Sequence, residues 1–500
     1  MRASLLRIAG VGFALALCSV SFGGEKEAAR AFQKALRSDP ELIAFLKEMP
    51  KGADLHNHVS GAIFAENYIA SAAGAGLWFD RKANAFVTEG GADRIKASDL
   101  ISMSSVGDID SPLNVFLRTV SMRGENSTVD GHDLFFATFS HLGAPSYTTE
   151  DALVEVIRRA KAQNEQYMEL MTGVAPSSAN AELVKDLPAV DDLEAAYRAI
   201  QPRLGPYVAA VRANLDARDA KLAQRLGTPS PTRLASPFGV RYIIQLYRLG
   251  DNPTFFATAA AAMAVTKADP RVVALNMVGP EDHPQSLMHF DDQMRMLDFL
   301  WKRMGRPNIT LHAGELTLNA SPVEPMFDRI RKSIELGHAK RIGHGISIAW
   351  EKNLLQLLQE MRERHVLIEI CLTSNRGILG VYGRAHPLHL YMAAGVPVNL
   401  NTDDEGVNRS NLTMEWLRGV REQDLGYEDL KAFARNSLEY SFLPGESLYA
   451  GKGVRPGFEA VRLSRWQPTA RQKALMAANP KLQAEVNLER AVVGFEDRFH

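Results

Sequence analysis

The sequence predicts an α/β protein whose core is a closed (β/α)8 TIM barrel. Eight short, nearly continuous apolar runs alternate along the chain with stretches in which apolar residues recur every three or four positions. The runs are typical of parallel strands buried on both faces, and the stretches are typical of covering helices. No G-x-G-x-x-G turn follows the first strand, which disfavours the competing fold, an open doubly wound sheet.

The predicted strands begin at Ala53 and end at Asp404. They are the segments 53–58, 167–173, 240–249, 272–279, 308–315, 340–346, 366–375 and 396–404. Amphipathic segments such as ALVEVIRRAKAQNE and WEKNLLQLLQEMRERH lie between them and predict helices. Parallel strands need crossovers of this length, so eight strand-helix units are enough to close a barrel.

The chain also divides into segments along its length. Residues 1–23 have the basic, apolar and small-residue order of a secretory signal, which predicts a periplasmic or secreted protein. A membrane anchor is the alternative, but the apolar run is shorter than the ~20 residues that span a bilayer. Residues 24–50 predict an N-terminal helical extension, residues 51–450 the barrel domain, and residues 451–500 a C-terminal helical tail.

One connection within the barrel domain is exceptionally long. Residues 74–145 separate the helix after the first strand from the helix that leads into the second, far beyond ordinary connection lengths. Long insertions on the loop face of a barrel often cover the site there, so a lid is the hypothesis for this segment.

Composition excludes some classes of function. The chain carries 57 Lys and Arg against 58 Asp and Glu, without a long run of either sign. Nucleic-acid and membrane-surface proteins need a basic field, so neither partner is expected once the signal is removed. The cysteines are Cys18, inside the predicted signal, and Cys371, so the mature chain has no internal disulfide. The oligomeric state is left open.

Polar residues close several predicted strands at their carboxyl ends. They are His56 and His58 in the first strand, His312 and Glu315 in the fifth, His344 in the sixth, and Asp403 and Asp404 in the eighth. In a (β/α)8 barrel these ends converge on one rim, where active sites lie. Residues far apart in the sequence are therefore expected to share one pocket.

The pair His56 and His58 suggests a metal. Residues i and i+2 of a strand project from the same face, so the two rings point to a common place. A single histidine at a strand end is more often a hydrogen-bonded loop residue, and for that reason the remaining histidines, His386 among them, are assigned no role. Imidazoles combined with one aspartate are the donor chemistry of zinc.

The motifs DLHNHVSGAI, LHAGE, RIGHGI and NLNTDDEG and, less sharply, MVGPED and CLTSN resemble those of the adenosine deaminase family, the metal-dependent purine deaminases of the amidohydrolase superfamily. Their order and strand placement match between Met49 and about Pro444. With the predicted signal, the chain looks like an exported bacterial-type member.

The resemblance implies one zinc ion per chain, held by four residues. These implied ligands are His56, His58, His312 and Asp403. Catalysis is implied for Glu315, facing N1 of a purine, for His344, contacting the metal-bound water, and for Asp403, accepting a proton from it. Substrate contacts are implied for Gly279 through its backbone, for Asp404 at N7, and for Ser60 near the ribose.

The resemblance also implies the reaction. It is zinc-dependent hydrolytic deamination of adenosine or deoxyadenosine to inosine or deoxyinosine, in which a metal-activated water attacks purine C6. Such a hydrolase acts on the C–N bond of a cyclic amidine. Glu315 must be protonated to donate to N1, so its pKa is expected to be raised by a water-poor pocket.

Three residues depart from the family pattern. Ser60 stands where the family usually has an aspartate that contacts the ribose 5′-hydroxyl, Glu405 replaces a usual proline, and Pro280 interrupts a usual Gly-acid-Glu sequence. The alternatives are therefore a deaminase of another 6-aminopurine, such as adenine, N6-modified adenosine or AMP, and a non-catalytic exported binding protein. A two-metal hydrolase with a bridging lysine is disfavoured, because the fourth strand ends without one.

Overall fold

The computed structural model describes residues 23–103, 112–123, 131–233, 238–450 and 453–499. The predicted signal lies outside these residues except for Gly23, so export stays a prediction. Within the described residues, no helix is long and apolar enough to cross a bilayer.

Eight parallel strands form the centre of the molecule. They are β1 (Gly52–His58), β5 (Glu165–Met171), β6 (Gly239–Tyr247), β7 (Val272–Val278), β8 (Thr310–Ala313), β9 (Arg341–His344), β10 (Leu367–Ile370) and β11 (Val398–Leu400). Two four-stranded sheets run in the orders β1-β5-β6-β7 and β11-β10-β9-β8. Parallel bridges at Leu275–Ile309 and Asn57–Asp403 join the sheets at both seams. The strands therefore close into the predicted barrel.

The helices mostly cover the barrel. They are α1 (Gly23–Ala35), α2 (Asp39–Glu48), α3 (Ala65–Gly74), α4 (Glu89–Ala92), α5 (Pro112–Thr119), α6 (Gly131–Thr138), α7 (Thr149–Ala162), α8 (Ser177–Leu183), α9 (Leu193–Leu226), α10 (Asn252–Ala268), α11 (Pro284–Arg303), α12 (Arg329–Glu335), α13 (Leu354–Glu363), α14 (Leu372–Leu379), α15 (Leu388–Ala394), α16 (Leu412–Gln423), α17 (Tyr427–Glu439), α18 (Ala470–Ala478) and α19 (Pro480–Glu496).

The predicted strand 366–375 is wrong in its second half. Strand β10 ends at Ile370, and α14 begins at Leu372. The apolar run continues past the strand, but the backbone N–H of Thr373 donates to the Glu415 carboxylate at 3.0 Å. This carboxylate stabilises the start of a helix as a capping side chain does.

The long insertion contains strands that the sequence analysis did not predict. Strands β2 (Trp78–Asp80), β3 (Ala85–Val87) and β4 (Leu100–Ser102) form an antiparallel sheet in the order β3-β2-β4. Strands of three residues are too short to show an alternating pattern, so periodicity does not reveal them. Helix α6 packs on α14 beside the barrel rim. The lid hypothesis stays a prediction, and parts of the insertion lie outside the described residues.

Terminal helices pack together on the barrel's outer layer. An edge-to-face aromatic cluster joins Phe45 of α2 to Phe32 of α1, Tyr427 of α17 and Phe495 of α19. A short hairpin, β12 (Tyr449–Ala450) with β13 (Gly453–Val454), precedes the last two helices. The side chain of Asn164 donates hydrogen bonds to the last carbonyls of α2, those of Lys47 and Glu48. This contact lies at the amino ends of the strands. The predicted site residues lie at the opposite end, the carboxyl rim.

Candidate metal centre

Four of the predicted site residues meet at the carboxyl rim. His56 and His58 lie on β1, His312 lies on β8, and Asp403 follows β11. All four are buried, and one donor atom from each lies within 4.8 Å of the others. The ring of His56 packs against Gly343 of β9, where any side chain would clash, because a Cβ on Gly343 would lie 2.7 Å from the ring.

The separations of the donor atoms match a metal site. The Nε2 of His312 lies 3.1 Å from Nε2 of His56 and 3.3 Å from Nε2 of His58. The Oδ1 of Asp403 lies 3.5 Å and 3.4 Å from the same two histidine nitrogens. Donors about 2.05 Å from a tetrahedral zinc are separated by about 3.3 Å, so the residues present fit this ion.

Hydrogen bonds orient the three imidazoles. The Nδ1 of His56 lies 2.7 Å from Oε2 of Glu369, and that of His58 lies 2.8 Å from Oε1 of Gln245. The Nδ1 of His312 lies 3.0 Å from Oδ1 of Asn276. Each partner is an oxygen that can only accept, so each Nδ1 carries the proton and each Nε2 keeps its lone pair for a cation.

The electrostatics of the site favour positive charge at its centre. Burial lowers the pKa of His312 well below its ordinary value and lowers that of His58, so both rings are neutral ligands. Burial also opposes a charge on His56, yet its contacts with Asp403 and Glu369 raise its pKa to about 10. A proton and a metal ion therefore compete for the lone pair of His56.

A second donor set overlaps the first. His344 and Cys371 also lie within 4.8 Å of His56 and Asp403. Burial raises the pKa of the Cys371 thiol well above its ordinary value, so it stays a thiol, whereas a metal needs the thiolate. The first set needs no such change, and its histidines already present their lone pairs.

Two site residues have strained backbones. His344 has φ of 70° and Asp403 has φ of 59°, in the left-handed region that side chains other than glycine rarely adopt. The backbone N–H of Asp403 donates to the carbonyl of His56 at 2.8 Å, and its own carbonyl accepts from His58 at 2.9 Å. Such strain costs about 1–3 kcal/mol and persists only where the surroundings enforce it.

Glu315 lies beside the four donors, on the loop after β8. Its Oε1 is 3.5 Å from Nε2 of His344. Burial, together with the nearby charges of Asp403 and Glu281, raises the pKa of Glu315 well above its ordinary value. The loop is fixed by Glu281, whose carboxylate accepts the backbone N–H groups of Gly314 at 3.1 Å and Glu315 at 2.7 Å.

Three buried polar atoms at this place have no hydrogen-bond partner among the described residues. They are Oε1 of Glu315, Nε2 of His344 and Oδ1 of Asp404. Asp404 fits only because Gly61 has no side chain, since a Cβ there would overlap its carboxylate. Burial raises the pKa of Asp404 well above its ordinary value. Uncharged acids and a lone donor form a pocket wall suited to a polar, neutral ring.

Comparison with known proteins agrees with this geometry. The family model described as adenosine deaminase matches residues 209–449. An adenosine deaminase of Clostridium acetobutylicum is 37% identical over 139 residues, which are 28% of this chain and 38% of that protein. One of Shewanella loihica is 36% identical over 188 residues, which are 36% of this chain and 51% of that protein.

The family-model match and these relatives support membership of the adenosine deaminase family. The matched segments nevertheless span only about half, or less, of these curated relatives. The solved structure of Arabidopsis ADAL complexed with IMP has a TM-score of 0.50 and 18% identity, and covers 80% of this chain and 93% of that one. This likeness shows that the two chains share a fold.

The residues that depart from the family pattern lie around the metal centre. Ser60 is exposed two residues after His58, and none of the described residues is hydrogen-bonded to its side chain. Glu405 is buried and turned away from the centre, with Arg159 2.7 Å from its carboxylate. Gly279 directly follows β7 and has φ of 105°, and Pro280 lies between it and Glu281. None of these departures removes one of the four donors His56, His58, His312 and Asp403.

The residues that orient the histidines were not predicted from the sequence. Glu369 and Asn276 each stand singly inside an apolar strand, and Gln245 shares its strand with the buried Arg241. Each of the three binds the Nδ1 of one histidine. An isolated polar residue in a buried parallel strand is the signal that marks them, because burial without a partner is costly.

Proposed function

We propose that this chain is a zinc-dependent hydrolase that deaminates adenosine or deoxyadenosine at C6. The observation that carries the proposal is the position of Glu315, a buried acid with a raised pKa, beside three Nε2 lone pairs and Asp403. A zinc site alone serves many hydrolases, whereas an uncharged carboxylic acid next to it suits a substrate that must gain a proton on its ring.

His56, His58, His312 and Asp403 would hold the zinc, which supplies a Lewis acid that lowers the pKa of water to about 7. One oxygen of Asp403 faces the histidine nitrogens, while its Oδ2 lies 3.9 Å from Nε2 of His344. Oδ2 is therefore placed to accept the proton that the attacking water loses.

Glu315 completes the proton balance on the other side of the substrate. Its proton goes to ring N1 as the water oxygen forms a bond to C6, which breaks the aromaticity of the ring. The Nε2 of His344 donates a hydrogen bond toward the charge that develops there. The proton that Asp403 took from the water then passes to the amino group, the C6–N bond breaks and ammonia leaves. The C6 hydroxyl becomes the carbonyl and returns a proton to Glu315, which restores both carboxyl groups.

Substrate choice depends on the sugar end of the pocket. Ser60 can form a hydrogen bond but provides no charge, so it favours a neutral hydroxyl less strongly than an aspartate does. Arg376, which follows the seventh barrel strand, is paired with Glu422 at 3.0 Å and is therefore already neutralised. The pairing with Glu422 leaves Arg376 less available to bind a phosphate, which supports a nucleoside over AMP as the substrate.

The test is a substrate panel with the purified protein. Adenosine, deoxyadenosine, adenine, N6-methyladenosine and AMP are followed by the ultraviolet change of the purine and by ammonia release. We expect turnover of the two nucleosides, its loss after metal chelation, and its return with added zinc. Turnover of adenine or AMP alone would contradict the proposed substrate. If the zinc-loaded protein turned over none of these purines, the proposed reaction would be wrong.

A further inference from the structure

A chain of buried hydrogen bonds leads from the backbone to His344. The N–H of Leu388 lies 3.1 Å from Nδ1 of His386, and Nε2 of His386 lies 3.1 Å from Oδ1 of Asn375. The Nδ2 of Asn375 lies 2.9 Å from Nδ1 of His344. The three side chains are buried, with exposed fractions of 4% for His386 and 0% for both Asn375 and His344.

The direction of this chain is fixed at its first member. A backbone N–H can only donate, so Nδ1 of His386 accepts and its proton lies on Nε2. That proton is donated to Oδ1 of Asn375, which turns the amide so that its NH2 group faces His344. The Nδ1 of His344 therefore accepts, and its proton lies on Nε2.

The opposite direction is excluded by the same geometry. If Asn375 turned its oxygen to His344, its NH2 group would face Nε2 of His386. His386 would then carry its proton on Nδ1, pointing at the N–H of Leu388, and two donors would face each other. Burial lowers the pKa of His386 to about 4, so a doubly protonated ring does not resolve this conflict.

We propose that His386 is a positioning residue that, through Asn375, sets the tautomer of His344. His344 then presents an N–H at Nε2, 3.5 Å from Oε1 of Glu315, and serves as a hydrogen-bond donor in the pocket. It is the reverse of the three ligand histidines, whose protons lie on Nδ1. The consequence for turnover rests on the proposed function, but the tautomer itself does not.

Nitrogen-15 NMR of histidine-labelled protein tests the tautomer directly, because a protonated ring nitrogen and an unprotonated one have different shifts. The signal of His344 is assigned by its loss in His344→Gln. We expect a protonated Nε2 and an unprotonated Nδ1. A protonated Nδ1 would overturn the proposal, whether or not the protein deaminates any purine.

Matched substitutions test the function of the chain. The amide of glutamine reaches the Nε2 position of a histidine, whereas that of asparagine reaches only the Nδ1 position. His386→Gln therefore keeps the donor to Asn375, and His386→Asn loses it. We expect kcat near that of the native enzyme for the first and a kcat lowered about tenfold or more for the second, with the metal content of both unchanged.

Asn375→Asp is the sharpest variant, because it replaces a donor by an acceptor of the same shape. We expect kcat to fall about 100-fold or more while KM changes little, as when a catalytic histidine is held in the wrong tautomer. His389→Gln is the control, since Nε2 of His389 lies 2.7 Å from the carbonyl oxygen of Gln423 and, within the described part of the chain, has no hydrogen bond to the pocket residues. Equal losses for His386→Gln and His386→Asn, or an unimpaired Asn375→Asp, would overturn the proposal.

Discussion

Buried charge is compensated differently in two layers of the barrel interior. The lower layer surrounds Arg341, and the upper layer is the four-donor site at the carboxyl rim. In the lower layer, the Arg341 guanidinium lies 2.7 Å from the carboxylate of Glu169 and 2.6 Å from that of Glu369, and Phe442 covers it at 3.9 Å. In the upper layer, three imidazole lone pairs face one carboxylate. The lower layer is matched within the protein, whereas the upper layer needs a cation and a substrate from outside.

The difference shows where the sequence serves stability and where it serves chemistry. Breaking a buried matched pair leaves an uncompensated charge and destabilises the fold. A buried polar atom without a protein partner, such as Oε1 of Glu315, is itself unfavourable for folding. Replacing such a residue often leaves the stability of the protein unchanged or raises it. Substitutions in the two layers should therefore separate activity from stability.

The largest effect is expected for Glu315→Gln in the upper layer. General acids contribute about 10²- to 10⁴-fold, so we expect kcat to fall within that range while the zinc content and melting temperature stay near native values. Deamination assays, metal analysis and thermal unfolding check this. Glu351→Gln is the control, because that buried carboxylate binds the backbone N–H of Ile330 instead. Retained turnover in Glu315→Gln would refute the assignment of the proton donor.

Arg341→Met, in the lower layer, should lower the stability of the fold. It leaves the carboxylates of Glu169 and Glu369 without their counter-charge, so we expect the free energy of unfolding to fall by about 3–5 kcal/mol. Urea denaturation measures this. Arg376→Met breaks an exposed pair with Glu422 and should change the free energy of unfolding by no more than about 1 kcal/mol. If the two substitutions lowered the free energy of unfolding equally, the buried Arg341 pairs would contribute no more to stability than an exposed ion pair.

Glu369→Gln tests the residue that joins the two layers. Its carboxylate lies beside Arg341 and also beside Nδ1 of His56. Residues that orient a metal-bound histidine typically contribute about 10- to 100-fold to metal affinity, and we expect a loss of that size in a zinc competition titration. An unchanged affinity would mean that Glu369 belongs to the lower layer alone.

The smallest effect is expected outside both layers, where His132 of α6 lies 3.0 Å from Asp282. The hydrogen bond to Asp282 raises the pKa of His132 to about 9, above the value of about 6.5 in an unfolded chain. The stabilisation is therefore fully present below pH 6.5 and is lost as the pH rises through 9. Screening limits it to about 1 kcal/mol.

The free energy of unfolding, measured across this pH window for the native chain and His132→Asn, checks that prediction. The native chain should lose stability that the variant does not have. Parallel curves for the two proteins would show that the contact between the insertion and the barrel contributes nothing.

The sequence predicted the barrel and the meeting of polar residues at one rim for physical reasons, whereas the set of four metal ligands was implied by the family resemblance. Strands buried on both faces are continuously apolar, so polar interruptions such as His56 and His312 stand out, and parallel strands bring their carboxyl ends to one rim. The roles assigned to the site residues stay predictions. The partners Glu369, Gln245 and Asn276 were not predicted, because a pairing across strands depends on register, which one sequence does not contain.

Local patterns also failed where tertiary contacts decide. Cys371 and Leu372 continue the apolar run of the strand beyond Ile370, but the carboxylate of Glu415, on a distant helix, accepts the backbone N–H of Thr373 at the start of α14. Helix α14 brings Asn375 to His344, and a loop histidine, His386, to Asn375. A histidine with no pattern around it gives no sequence signal for such a role.

We propose above all that His56, His58, His312 and Asp403 hold one zinc ion. X-ray absorption spectroscopy of the purified protein, with elemental analysis, tests it most directly. We predict about one zinc per chain with only nitrogen and oxygen neighbours at about 2.0–2.1 Å. A sulfur neighbour at about 2.3 Å would instead place the ion on the set that contains Cys371, and the absence of bound metal would refute the centre itself.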